Sequence, residues 1–178
     1  MVGGRRLLAE FAFSNQEQYP LEGNLKEALD FIVSQPVSRK IAVLVSGDTG
    51  IFSFANYLQA NLDCRELEFV PGISSFQVIF ARLKRSWDKA VFISLHGKLP
   101  EHLHKVVQEE RETVIFTDNK WSPPRVADYL LKKGLSDMTV AVGKDLSYPW
   151  ERVEVTNFSL LSESLESWNN SVMVIINE

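Results

Sequence analysis

Apolar positions along this chain recur in two alternating rhythms. Leu25, Ala28, Leu29 and Ile32 fall at i, i+3, i+4 and i+7, which predicts an amphipathic helix over 24–34. Asn24 stands at the N-cap position and Pro36 follows as a stop signal. IAVLV (41–45) is apolar without alternation, the pattern of a parallel strand covered on both faces. Phe54, Tyr57, Leu58 and Leu62 then mark a second helix with Ser53 as its cap. A strand at LEFV (67–70) leads into a third helical stripe of Ile73, Phe76, Phe80 and Leu83, and VFISL (91–95) reads as a strand again. Helix and strand thus alternate from 25 to 95, which is the order of an α/β sheet.

Beyond 98 the rhythm loosens. A charged helix is predicted over 99–108 and a strand at TVIFT (113–117). A helix follows over 124–133, with Pro124 in its first turn and Gly134 as its C′ residue. MTVAVG (138–143), ERVEVT (151–156) and SVMVIIN (171–177) read as strands, the last two without a full helix between them. The last third is therefore expected to be mixed or antiparallel. The expected fold is α/β with two small α/β domains, 1–98 and 99–178. The opening, Met1-Val2-Gly3-Gly4-Arg5-Arg6, is unusual because almost no strand precedes its glycine turn.

Composition narrows the function classes. With 178 residues, 45% hydrophobic and 24% charged, the chain is of ordinary globular type. A formal net charge of −4 argues against nucleic acid as a partner, since a nucleic-acid footprint is basic. The single Cys64 excludes an internal disulfide and any Cys-rich metal site, and is expected to pack at the start of a strand. No apolar run reaches the roughly 18–20 residues of a membrane span. There is no signal-type start either, so a cytoplasmic location is expected.

Three loops carry the candidate chemistry: Ser46-Gly47-Asp48-Thr49-Gly50, Pro71-Gly72-Ile73-Ser74-Ser75 and Ser94-Leu95-His96-Gly97. Each follows a predicted strand, which would put all three at the carboxyl edge of one parallel sheet, where open α/β sheets bind small molecules. Asp48 either accepts hydrogen bonds in a tight turn or caps the next helix, or it holds a ligand's polar group. Ser74 or Ser75 is similarly either a cap or part of a polar cradle. His96 could hold a carboxylate or move a proton near neutrality. No nucleophilic triad, metal-ligand cluster or phosphate-binding P-loop can be assembled. His102 and His104, two positions apart, do not share a helix face.

In order, VGGRRLL (2–8), VLVSGDTGIFS (43–53), VPGISSFQVIFARL (70–83), SLHGK (94–98), FTDNKWSPPRVADYLL (116–131) and VGKDLSYPWERV (142–153) resemble the tetrapyrrole (corrin/porphyrin) methylase family. Within it the wording is similar to the branch that methylates C5 of a precorrin or cobalt-precorrin in cobalamin construction. The resemblance implies a two-domain enzyme, a homodimer, binding S-adenosylmethionine in the cleft between its domains. It implies cofactor contacts by Ser46, Gly47, Asp48 and Ile51, by Ser74 and Ser75, and in the second domain by Thr117 and Asp145. His96 would face the tetrapyrrole substrate. Thr49 stands where many members have proline. The substrate's carboxylates would meet Arg82, Lys84, Arg85, Lys98 or Arg125. A sulfonium donor is already activated, so the protein's task would be alignment and exclusion of water.

The resemblance also has a departure. The family's first strand and its G-x-G-P-G-D turn should precede VGGRR, and a late start or truncation is expected. Alternatives are a non-catalytic tetrapyrrole-binding subunit, or a sister methylase acting on C11 or C17. The sequence contains no second methyltransferase unit for the C15 methylation and decarboxylation, which would lie on another chain.

Overall fold

The computed structural model describes residues 1–97 and 99–177. Its contacts divide the chain into two compact units, Met1–Ser74 and Ser75–Glu178. No helix among the described residues is long and apolar enough to cross a membrane. Each unit carries one sheet with helices packed on it, so the fold is mixed α/β.

The first unit contains β1 (Val2–Gly3), α1 (Arg5–Phe11), β2 (Tyr19–Pro20), α2 (Leu25–Ser34), β3 (Val43–Leu44) and α3 (Phe54–Asn61), followed by a 3-10 turn at Cys64–Glu66. Its three strands are parallel in the order β2-β1-β3, so the brief opening strand occupies the centre. Val2 is fully buried there, in a core with Ala28 of α2 and Phe54 and Leu58 of α3. Both predicted caps form: the Asn24 side chain accepts from the Glu27 N–H at 3.3 Å, and Ser53 Oγ accepts from the Ala55 N–H at 3.2 Å. Each relieves one of the donors that a helix start leaves without an intrahelical partner.

Three expectations for this unit are corrected. The run 41–45 contributes only Val43–Leu44 to a ladder, because a strand extends only as far as its neighbour and β1 is two residues long. The run 67–70 is not a strand: it pairs with no described ladder, and Phe69 and Val70 are 42% and 72% exposed. Cys64 lies exposed in the 3-10 turn rather than packed at a strand start. Helix α1 went unpredicted because RRLLAEF has neither a capping side chain nor a long apolar stripe.

The second unit contains α4 (Ser75–Leu83), β4 (Val91–Ser94), α5 (Leu103–Glu109), β5 (Glu112–Phe116), α6 (Pro123–Lys132), β6 (Thr139–Lys144), β7 (Arg152–Asn157), α7 (Phe158–Ser162) and β8 (Ser171–Ile176). The sheet order is β4-β5-β8-β6-β7, with β4 and β5 parallel and the remaining pairs antiparallel. The expected mixed sheet is present, and the 157–171 connection carries only the five-residue α7.

Strand β8 lies at the middle of this sheet, and Val172 through Ile176 are all buried. Met173 and Ile175 join a core with Leu103 and Val107 of α5, Val126 and Leu130 of α6, and Phe158 and Leu161 of α7. Helix α4 packs against β6 and β8. Because strand side chains alternate between faces, a strand segment buried on both sides must be apolar throughout, as VMVII (172–176) is.

The register gathers several strand ends. Ser94 pairs with Phe116, Phe116 with Val172, and Lys144 with both Ser171 and Arg152. The loops after β4, β5 and β6 therefore leave the same end of the sheet, beside the start of β8. The position of β8 makes a clear expectation: Met173→Ala costs about 2–5 kcal/mol in urea denaturation, as for other buried large-to-small changes. Val155→Ala, on the exposed part of edge strand β7, changes stability by less than about 1 kcal/mol.

Candidate functional site

Loop 46–50 and residues 71–74 meet in the first unit, and Ser75 opens the second. Asp48 Oδ1 accepts from the Gly50 N–H at 2.8 Å, closing an Asx-type turn within its own loop. Asp48 Oδ2 accepts from the Gly72 N–H at 3.2 Å, across 24 residues of sequence. One carboxylate thus fixes both loops, and the cap of α3 is Ser53 rather than Asp48.

The backbones approach so closely that glycine is required at the contact. A Cβ on Gly72 would lie 2.4 Å from the Gly47 carbonyl oxygen, a distance no side chain tolerates against backbone. Gly47 itself has φ +72°, and a Cβ there would sit 3.1 Å from Ser74 Cα. Ser74 is buried beneath this contact, Ile51 and Ser75 are half-buried, and Ser46 is exposed with its Oγ 3.5 Å from Arg6 Nη2.

The expectation that all three candidate loops share one parallel sheet edge is corrected. Loop 46–50 follows β3 of the three-stranded sheet, loop 71–75 follows no strand, and loop 94–97 follows β4 of the five-stranded sheet. What joins the first two is the Asp48 carboxylate and the glycine contact, not a common ladder.

In the second unit, 94–97 is tied to the loop after β5. Ser94 Oγ lies 3.1 Å from His96 Nδ1 and accepts from the His96 backbone N–H at 3.4 Å. Asp118 Oδ2 accepts from the Gly97 N–H at 3.3 Å, while Oδ1 accepts from the N–H groups of Lys120 and Trp121 at 2.9 and 2.6 Å. Burial works to raise the Asp118 pKa. The N–H donors of Trp121, Gly97 and Lys120 and the neighbouring His96 outweigh it, holding the carboxyl below the usual carboxylate range.

Beside this loop, Thr117 is buried and its Oγ1 donates to the Ser171 carbonyl at 2.7 Å. Asp145 has φ +48°, donates its N–H to the Asn170 carbonyl at 3.1 Å and accepts from Asn170 Nδ2 at 2.8 Å. Register therefore brings His96, Thr117 and Asp145 to one end of the five-stranded sheet. Sequence reasoning did not single out Ser94, Asp118 or Asn170. An Asx turn directly after a strand, in T-D-N-K-W, was the available sign for Asp118.

The basic candidates are mostly committed to their own chain. Arg82 Nε pairs with Glu151 at 2.6 Å, and Arg85 Nε with the buried Glu112 at 2.6 Å. Arg125 donates to the Lys120 carbonyl at 3.0 Å, and Lys98 lies outside the described residues. The Arg82 guanidinium and the Ser147 N–H hold Glu151 below the usual carboxylate range. These pairs organise the protein surface, which weakens the expectation that Arg82 and Arg85 await substrate carboxylates.

Two outcomes follow from this geometry. Gly72→Ala forces the 46–50 and 71–75 loops apart, so hydrogen exchange at the amides of residues 50 and 72 accelerates relative to wild type while α2 keeps its protection. Asp118, with a depressed native pKa, contributes stability that is complete above its unfolded value near 3.8 and is lost as pH falls through the native one. The stability gap between wild type and Asp118→Asn, measured by urea denaturation, is therefore largest near neutrality and narrows toward pH ~3. A gap constant across that range would contradict this account.

The sequence profile of the family described as Tetrapyrrole (Corrin/Porphyrin) Methylases matches residues 5–161. A probable cobalt-precorrin-7 C(5)-methyltransferase of Methanocaldococcus jannaschii is 30% identical over 163 residues, 87% of this chain and 75% of that protein. A cobalt-precorrin-7 C(5)-methyltransferase of Salmonella typhimurium is 24% identical over 175 residues, 98% of this chain and 85% of that protein. Among solved structures, a precorrin-6Y methylase from Archaeoglobus fulgidus superposes with a TM-score of 0.71 at 19% identity, covering 99% of this chain and 84% of that one. The profile spans most of the chain and both of its units. The chain belongs to the tetrapyrrole (corrin/porphyrin) methylases.

Proposed function

We propose that this chain transfers a methyl group from S-adenosylmethionine to C5 of a precorrin or cobalt-precorrin in cobalamin construction. Membership in the family supports the donor, because the family uses S-adenosylmethionine. The C5 position is supported by two relatives that carry that name at 24% and 30% identity. The observation that carries the reading is the joined loop pair. Two segments whose residue types match the family's donor-binding loops are locked together by Asp48 and by the Gly47–Gly72 contact.

The residues present fit a polar ligand. Each Asp48 oxygen accepts one backbone N–H and keeps a second lone pair for a hydroxyl or amine. Ser46 offers an exposed hydroxyl, and the glycines keep side chains out of the loop contact. In the first unit Ser46, Gly47, Asp48, Ile51 and Ser74 would hold the donor; Ser75, Thr117 and Asp145 are the candidates that belong to the second. When bound, the donor supplies a methyl group already activated by its sulfonium charge. The protein's own work is to bind, orient and exclude water, because alignment of two reactants is where such a transfer gains most. In this reading the active form is a homodimer.

Calorimetric titration with S-adenosylhomocysteine tests the donor site directly. Asp48→Ala removes a charge-assisted contact and the tie between loops, so affinity falls by roughly 10- to 100-fold, the equivalent of about 1.5–3 kcal/mol. Incubation with metal-free and cobalt-containing precorrins, read by mass spectrometry and product NMR, assigns the ring carbon and the preferred substrate. A wild-type chain that binds no S-adenosylhomocysteine would sink the reading.

A further inference from the structure

Methyl transfer from a sulfonium to a neutral ring carbon leaves a proton to be removed. The ring carbon's electron pair forms the new C–C bond, the C–S bond breaks with its pair staying on sulfur, and the positive charge passes to the macrocycle. That charge is discharged when a proton leaves a pyrrole N–H or the methylated position. A base must accept it, and of the side chains brought together at this end of the five-stranded sheet, His96 is the one suited to that task near neutral pH.

We propose that His96 Nε2 accepts this proton and that Ser94 sets the imidazole for it. The inference rests on the methyltransferase reading above and adds a residue role to it. Three observations carry it. His96 is exposed at the carboxyl end of β4, where a large planar substrate can reach its ring. Ser94 Oγ contacts Nδ1 at 3.1 Å, so Nε2 is the ring nitrogen that Ser94 does not engage. The same Oγ already accepts from the His96 backbone N–H, so its role as an acceptor is compatible with a proton on Nδ1 and a free lone pair on Nε2.

Asp118 completes the arrangement as a second positioning residue. It holds the Gly97 N–H and so fixes the chain directly after His96. Through the same carboxylate it ties the 94–97 loop to the loop after β5, so the backbone that carries His96 is held from both sides of the turn. Being exposed, the imidazolium can return the proton to water between turnovers. Ser94, His96 and Asp118 are therefore not a nucleophilic triad: the hydroxyl orients the imidazole, and no covalent intermediate is formed.

Two measurements test this on the full chain. Nitrogen-15 NMR of the imidazoles, with only three histidines to assign, reads the tautomer of His96 without any ligand. A proton on Nδ1 is expected, and a proton resident on Nε2 in the neutral form overturns the proposal whatever the activity. Turnover with a methylated precorrin as readout forms the second arm. His96→Gln lowers kcat by roughly 10²-fold or more, in the range of general base catalysis, and removes the acid limb of the kcat–pH profile. Ser94→Ala gives a smaller loss that Ser94→Thr restores, which a merely structural role would not show.

Calorimetry with S-adenosylhomocysteine runs beside each variant. Affinity within about twofold of wild type keeps the loss at the chemical step rather than in donor binding. A wild type that binds no S-adenosylhomocysteine refutes the functional reading. A wild type that turns over, with His96→Gln equally fast at every pH, refutes only the proton-acceptor role.

Discussion

The five-stranded sheet depends on its last strand. Strand β8 is hydrogen-bonded to β5 on one side and β6 on the other, so without it the sheet separates into β4–β5 and β6–β7. Insertion of a C-terminal strand between two earlier ones also decides which loops become neighbours. The connections after β5 and β6 are separated in sequence by α6 and β6, yet Thr117 reaches Ser171 and Asp145 reaches Asn170 because both flank the start of β8. The burial of Val172 through Ile176 makes this strand a costly one to displace. The positions of His96, Thr117 and Asp145 are thus inherited from a packing constraint rather than from any direct contact among the three.

The first unit uses a different constraint to the same end. Its strands are two residues each, too short for a ladder to hold loops in place. A carboxylate and a backbone contact do that work instead. Asp48 satisfies two N–H donors that would otherwise have to turn to water, and the close approach of Gly47 and Gly72 leaves room for no side chain. The choice between a structural and a binding role for Asp48 therefore dissolves. A carboxylate that uses one lone pair per oxygen to fix its loops still has acceptor capacity toward a ligand, and it is better placed for being fixed.

Much of this was legible in the chain. The helices at 25–34, 54–61 and 75–83 showed in their apolar spacing, and Asn24 and Ser53 cap as their residue types suggest, because helix formation is governed by near neighbours. Strands were legible only where a partner exists. SVMVII reads as a buried strand and is one, whereas IAVLV forms two ladder residues and LEFV none, since a strand is a relation between segments that a single segment cannot specify. The meeting of loops 46–50 and 71–75 was expected from a shared sheet edge that the structure lacks, and its agent, a hydrogen bond across 24 residues, left no local trace. Asp118 was passed over for a related reason. Its turn was visible in T-D-N-K-W, but its bond to Gly97 spans 21 residues and depends on β4 lying beside β5.

The charges follow one logic. Arg82 and Arg85 read as free cations because sequence shows no partner for them, yet Glu151 and Glu112 meet them from 69 and 27 residues away. The exposed Arg82–Glu151 pair contributes little stability, and the Arg85–Glu112 pair is partly buried, but both remove strong anion sites from competition. A substrate rich in carboxylates would then be recognised by cations that its own chain has not already neutralised, and by the shape of its ring. The same economy governs the acid–base groups. Asp118 is held ionised by three N–H donors, which leaves it unsuited to exchange protons and suited to fixing a loop. His96, whose Nδ1 faces the neutral Ser94 hydroxyl, stands exposed at the end of β4. A site that aligns an already activated methyl group needs one such group, and His96 stands for it at the carboxyl end of β4.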